Sequence, residues 1–206
     1  MTTHAMLAVL VSAFLICSTP GPNMLHVLTR CVQFGFRRSL PAMGGCLLGL
    51  VLVLALSAAG LGALMRASGL CFHVVQYAGV AYLVYLGIRQ WLATDEISPA
   101  AKSTKAESSL QMFGKACSIG LTNPKLLIFG TAFMPQFVDS LSNPYPQYAI
   151  VIACFVACET FWYCVYGTGS RHVRRLLARP ALRKAFNRLA GTLFIAFGGL
   201  LLLDKC

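Results

Sequence analysis

Acidic residues are scarce in this chain. Six Asp+Glu stand in 206 residues against 17 Lys+Arg, and charged residues of both signs make up only 11%, where soluble domains carry about 25%. With 57% hydrophobic residues, too few polar side chains remain to cover a soluble surface. That balance excludes a soluble enzyme, a disordered tail and a coiled coil, and leaves the bilayer as solvent for most of the chain. The nine cysteines are odd in number, lie mostly inside apolar runs and form no CxxC pair. A disulfide or zinc framework is thereby excluded, and most of these cysteines read as small hydrophobes. No phosphate-binding loop is present, and no cofactor is implied. The apolar stretch from Ala5 to Cys17 is preceded by no Lys or Arg, and Ile16 is a poor residue before a cleavage site, so it reads as a retained span and not a signal peptide.

What is present is a set of apolar segments near the roughly 20 residues that cross a bilayer. Six are found: Ala5 to Leu28, Leu40 to Met65, Leu70 to Leu92, Met112 to Val138, Tyr148 to Gly169, and Asn187 to Leu203. Fourteen of the 17 basic residues fall in three alternate connections, which carry Arg30, Arg37 and Arg38; Arg89, Lys102, Lys105 and Lys115; and the run Arg171 to Arg188. Cytoplasmic loops hold such an excess, so both termini are expected on the periplasmic side. The net charge of +11 thus points to anionic lipid headgroups and not to nucleic acid. The run Arg171 to Arg188 reads first as a topology-setting loop and second as a surface helix. Tyr145, Tyr148 and Trp91 read as interfacial anchors.

The polar stretch 93–110 reads as a cytoplasmic linker between two three-helix repeats, 1–92 and 111–206. Ala78-Gly79 followed by Gly87 matches Ala190-Gly191 followed by Gly199, with an aromatic residue three after the first glycine in each (Tyr82, Phe194). The first span breaks at Thr19-Pro20, the fourth at Asn123-Pro124. Because each half holds an odd number of spans, the halves enter the membrane in opposite directions. The expected fold is an all-α membrane protein of six transmembrane helices, a 3+3 inverted-topology repeat with helices 1 and 4 broken. Self-association into a homo-oligomer is left open.

The breaks carry the chemistry. Pro20, Gly21 and Pro22 cannot lie in an unbroken helix, and Asn123-Pro124 combines an N-cap residue with proline at the first helical position. Resumed helices would direct their N–H groups, the positive ends of their dipoles, at the membrane interior, where they suit a carboxylate. Glu159 is the acidic residue deep within a span, with Tyr163 and Tyr166 on its helical face, and is a candidate proton carrier. Lys125 sits beside the second break; an inert Lys125 to Glu159 ion pair is the competing reading. His26 follows the first break and is a candidate relay, although a lone histidine is more often a packing residue. Asp139, with Gln136, closes the fourth span and reads first as a solvated helix end. Gly45 and Gly49 form a small-xxx-small pair suited to close helix packing.

Ser18-Thr19-Pro20-Gly21-Pro22-Asn23, Leu121-Thr122-Asn123-Pro124-Lys125 with Phe133-Met134-Pro135-Gln136-Phe137, and Ala78 to Gly87 together resemble the LysE/RhtB amino-acid exporters over nearly the whole chain. The resemblance implies a multi-pass protein of the bacterial inner membrane, not an enzyme, that expels amino acids or close derivatives such as homoserine, threonine, leucine or lysine on the proton gradient. Carried over, Pro20, Gly21, Pro22, Asn23, Asn123, Pro124 and Lys125 would line the substrate site. Some members hold an acid where this chain has Asn23, which leaves Glu159 to take the cation-binding role; the expected partners are the amino acid and protons. The alternative is a membrane thiol-redox conduit using Cys17 and Cys117.

Overall fold

The computed structural model describes residues 3–19, 21–67, 107–138, 143–170, 172 and 179–203, together with scattered positions between 74 and 92. Every regular element among them is helical. Among the described residues two helices are long and apolar enough to cross a membrane, Arg37–Gly60 and Pro144–Thr168, and a bent pair meeting at 53° adds a third candidate span.

That bent pair is the first break. Helix α1 (Thr3–Ser18) ends before the proline cluster, and α2 (Pro22–Phe34) restarts with Gly21 as its N-cap and Pro22 in its first turn. The restart uses the position where a missing N–H costs nothing. Helix α2 runs to Phe34, six residues past the span expected from apolarity, so Arg30 lies inside a helix. The physical reason is an ion pair, Arg30 Nη1 to Glu107 Oε2 at 2.9 Å, which lets a charge sit at a helix–helix contact.

After a short 3-10 turn, α3 (Leu40–Ala67) packs most extensively on α4 (Ser109–Leu121). A Cβ on Gly45 would collide with the Phe113 carbonyl, and one on Gly49 would come within 2.8 Å of the Gly120 Cα. The two backbones touch where small residues allow it, and the Cys46 thiol reaches the Ala116 carbonyl across the contact (3.6 Å). Gly45 and Gly49 therefore do what their spacing promised. Helix α4 begins at Ser109, inside the expected linker, because Ser108 and Gln111 close a capping box: each side chain bonds the other's backbone N–H at 3.2 Å.

The fourth predicted span is divided as expected, and further than expected. Helix α4 stops at Leu121, and α5 (Pro124–Ile128) restarts under the Asn123 N-cap. A π-helical stretch, Phe129–Phe133, and a 3-10 turn, Met134–Phe137, follow. Helix α6 (Pro144–Thr168) starts four residues before the predicted span because Asn143 caps it, accepting from the Tyr145 N–H at 3.1 Å. Tyr145 is exposed, as an anchor should be. Tyr148 is not: it is buried in the core with Val151 and Phe155, one and two turns along α6, so its ring packs the bundle. Trp91 is partly exposed, stacked under the Arg188 guanidinium at 4.7 Å.

Helix α7 (Pro180–Leu203) takes in the end of the basic run, so that residues 180–188 are helix and not loop. It meets the helical positions near residue 87 at another glycine contact, where a Cβ on Gly191 would approach the Gly87 carbonyl to 2.5 Å. The two halves' matched glycine motifs touch at this point. Ala78, Gly79 and Tyr82, and the linker residues 93–106, lie outside the described residues.

Candidate functional site

The two breaks come together. Asn123 Oδ1 accepts the Lys125 backbone N–H (3.0 Å), which caps α5 and fixes which way the Asn123 amide faces. Its Nδ2 must then donate outward, and does so to Asn23 Oδ1 at 3.0 Å, 100 residues away. The Asn23 amide is oriented in turn, leaving its own Nδ2 buried without a partner. Asn23 and Asn123 are 1% and 2% exposed; a donor left without a partner at that depth costs about 1 to 3 kcal/mol, and the Tyr163 hydroxyl is the neighbouring polar group.

Around it lies a narrow cavity whose lining includes Cys17, Gly21, Asn23, Asn123, Lys125 and Glu159 together with Leu126, Phe129 and Phe155. It has room for about one water-sized molecule. Glu159 is 6% exposed. Tyr163, one turn further along α6, is buried with its hydroxyl close to both Glu159 and Asn23. Helix α2 adds backbone: its Gly21 N-cap offers no side chain to the first-turn N–H groups.

Lys125 has a second occupation that sequence reasoning missed. Its ammonium donates to Thr19 O (3.0 Å), to Thr19 Oγ1 (2.8 Å) and to the Ile16 carbonyl. These acceptors stand at the end of α1, where a cation also meets the negative end of the helix dipole. Tyr166 finishes the same job, donating from its hydroxyl to Ser18 O at 2.9 Å, while Trp162 Nε1 donates to Phe14 O at 3.0 Å. The second half of the chain thus closes off the helix that the first half breaks. The Lys125 stem passes beside Gly21, where a Cβ would make ordinary van der Waals contact with it at 3.4 Å. Lys125 and Glu159 line one cavity and attract each other electrostatically.

Of the remaining predicted residues, Pro22 and Pro124 open α2 and α5, as their positions required. Pro20 and Asp139 lie outside the described residues. His26 stands one turn past Asn23 on α2, partly buried, with Nε2 unpartnered. Another turn on, Arg30 shares Glu107 with Lys115, whose Nζ lies 2.5 Å from Oε1. That Lys115 hydrogen bond and the attraction of Arg30 hold the Glu107 carboxyl below its ordinary range against the opposing effect of burial. Cys17 lines the cavity, whereas Cys117 packs at the α3–α4 contact near Gly45. Both are free thiols at different sites, and nothing here supports a redox pair. Phe129 and Phe155 were not singled out by sequence. Each had a signal: Phe155 stands four residues before Glu159, and Phe129 four residues after Lys125, with its backbone N–H still bonded to the Lys125 carbonyl.

Residues 14–205 match the family model described as LysE type translocator. The chain is 32% identical over 206 residues to an "Uncharacterized membrane protein" of Vibrio cholerae, covering 100% of both chains. It is 30% identical over 201 residues to the "Homoserine/homoserine lactone efflux protein" of Salmonella typhimurium, covering 98% of this chain and 97% of the relative. It is also 30% identical over 189 residues to the "Leucine efflux protein" of an Enterobacter species, covering 91% and 90%. No solved structure matches it.

Proposed function

The chain belongs to the LysE translocator family, and on that premise we propose that it exports a small amino acid or close derivative from the cytoplasm across the bacterial inner membrane in exchange for protons. The observation that carries the reading is the Asn23–Asn123 hydrogen bond, which joins two helix breaks 100 residues apart beside a buried carboxylate. Irregular backbone at membrane depth is tolerated where it is enclosed by protein or lines a polar cavity, and both conditions hold here.

A free amino acid presents an ammonium and a carboxylate. The ammonium suits Glu159; the carboxylate suits the unpartnered Asn23 Nδ2 and the uncapped first turn of α2. Lys125 contributes positive potential to the same cavity while holding the end of α1, which favours the site for a zwitterion over a bare cation. Glu159 can bind either a proton or the substrate's ammonium, and that competition would couple the two fluxes. His26, one turn from Asn23 toward the Arg30 end of α2, is the second relay candidate, and Asp139 the third. The six-span 3+3 inverted arrangement (repeats 1–92 and 111–206, linker 93–110, both termini periplasmic) is part of this proposal. Its supports are the distribution of basic residues and the matched breaks.

The test is export from cells loaded with amino acids as dipeptides, with and without the protein, in wild type and Glu159→Gln. The expected result is external accumulation by wild type that depends on external pH. The variant should be made at normal levels, still exchange labelled substrate at equal concentrations, and lose uphill export. Normal proton-driven accumulation by Glu159→Gln would remove Glu159 as the carrier; no accumulation by wild type for any amino acid would remove the transport reading.

A further inference from the structure

Away from the two breaks, a second cavity of about 450 Å³ opens where the end of α2, the 3-10 turn after it and the start of α4 meet. That volume is in the range of small-molecule sites. Its lining brings Arg37 and Arg38 together with Phe34, Pro41 and Met112. Both arginines are exposed, and neither enters an ion pair among the described residues. Glu107, the carboxylate in the lining, is already matched by Arg30 and Lys115. Four basic side chains thus surround one acid, and the two arginines of the cavity are left facing no anion of the protein.

The turn that carries them is fixed. Gly35 reverses the chain with φ 83°, and Ser39 closes the turn, its N–H donating to Phe36 O (3.0 Å) and its hydroxyl to Gly35 O (2.9 Å). Ser39 is buried, and Phe36 packs so near Gly167 of α6 that a Cβ there would come within 2.9 Å of its ring. With both neighbours anchored, Arg37 and Arg38 are presented outward together. Across the cavity stands the first turn of α4. The Ser108–Gln111 capping box uses the N–H groups of Ser108 and Gln111 and takes neither that of Ser109 nor that of Leu110, and Ser109 lines the cavity. The positive end of a helix dipole therefore adds to the two guanidiniums.

Position and lining together select the ligand. The apolar span Arg37–Gly60 begins at Arg37 itself, so the cavity lies where hydrocarbon gives way to headgroups. A free anion would use the arginines and the α4 terminus but leave Phe34, Pro41 and Met112 without a role. An amphiphile uses both parts, and guanidinium groups match phosphate oxygens two at a time. We propose that this cavity binds an anionic glycerophospholipid, its phosphodiester held by Arg37, Arg38 and the first turn of α4, and its glycerol and upper acyl carbons against Phe34, Pro41 and Met112. The bound lipid ties the end of α2 and the start of α3 to α4. The site is separate from the cavity at the breaks and does not depend on what is transported.

The test is thermal unfolding of the detergent-purified full chain, titrated with dioctanoyl-phosphatidylglycerol, with dioctanoyl-phosphatidylcholine and with inorganic phosphate. Phosphatidylglycerol should raise the melting temperature saturably, and the other two should not. Arg37→Ala with Arg38→Ala should weaken that apparent affinity about 10-fold or more, the loss expected for a charge-assisted contact. Arg37→Lys with Arg38→Lys should weaken it less, since charge stays but the paired N–H geometry goes. Arg179→Ala with Lys184→Ala, the same charge change at exposed positions elsewhere, should leave it unchanged. Ser109→Glu keeps the proposal falsifiable if the arginine variants fold poorly: an acid in the first turn favours the helix yet repels phosphate, so binding should weaken in a protein at least as stable as wild type. Equal protection by phosphatidylcholine, or by inorganic phosphate alone, would overturn the anionic-lipid assignment. Wild-type affinity in Ser109→Glu or in the double alanine variant would overturn the site.

Discussion

Replacing Lys125 with Met tests what the ammonium does, because Met keeps the apolar stem and removes only the charge and its donors. Three acceptors at the end of α1 lose a donor, but they do not lose equally. The Ile16 carbonyl retains Thr19 N (3.2 Å) and Thr19 Oγ1 (2.7 Å). The Thr19 carbonyl loses its charged partner, at a cost of about 1 to 3 kcal/mol for a buried acceptor left unmatched. The α1 dipole loses a cation at its negative end, about 1 kcal/mol more in a buried setting. Relief of Lys desolvation offsets part of this, so a net loss of about 1 to 3 kcal/mol is expected, or a melting temperature lower by roughly 2 to 12 °C for a chain of this length. Thr19→Val removes one acceptor of the set and should lower it by about a third as much. In the double variant the two effects should fall short of additive, since they share a hydrogen bond. The assay is thermal unfolding of detergent-purified, monodisperse protein, with export KM measured alongside. A Lys125→Met protein that melts with wild type and shows only a raised KM would refute the end-cap role and make Lys125 purely a substrate ligand.

Three other expectations follow from particular contacts. Asn123→Ala removes both the α5 cap and the hydrogen bond to Asn23, and should cost about 1 to 2 kcal/mol in stability while abolishing export; export at the wild-type rate would show that the paired amides are only structural. Gly49→Ala puts a methyl where the Gly120 Cα already stands, and the forced separation of α3 from α4 should cost about 1 to 3 kcal/mol, visible as lost monodisperse yield; Gly114→Ala, with open space around it, is the matched control. Glu107 has a depressed carboxyl pKa, so its pairing with Lys115 and Arg30 is present above a glutamate's ordinary 4.5 and is lost as pH falls below that and through the lowered value. Wild-type melting temperature should therefore drop more steeply over that acid range than that of Glu107→Gln, and parallel curves would contradict the assignment.

The parts of this protein that consecutive residues can dictate were legible in the sequence. A proline has no N–H wherever it stands, so Pro22 and Pro124 had to open helices and the chain had to break before them. Asn123 is one residue from the proline it caps, and Gly45 and Gly49 share a helical face by spacing alone. The inward face of α6 was legible for the same reason, since Glu159, Tyr163 and Tyr166 recur at helical intervals and all three are buried. Boundaries were misjudged where a polar side chain extended a helix past its apolar stretch, as at Ser108, Asn143 and Arg30. The tertiary structure decided everything that depends on which helix faces which. Asn23 and Asn123 read as two separate polar residues until the fold set them 3.0 Å apart. Lys125 read as a substrate ligand or as a partner for Glu159, and the fold gives it the end of α1 as well; Tyr148 read as an anchor until the core closed over it. The pairings of Asn23 with Asn123 and of Lys125 with Thr19 join residues 100 and 106 positions apart, and no local pattern along the chain encodes which helix end meets which.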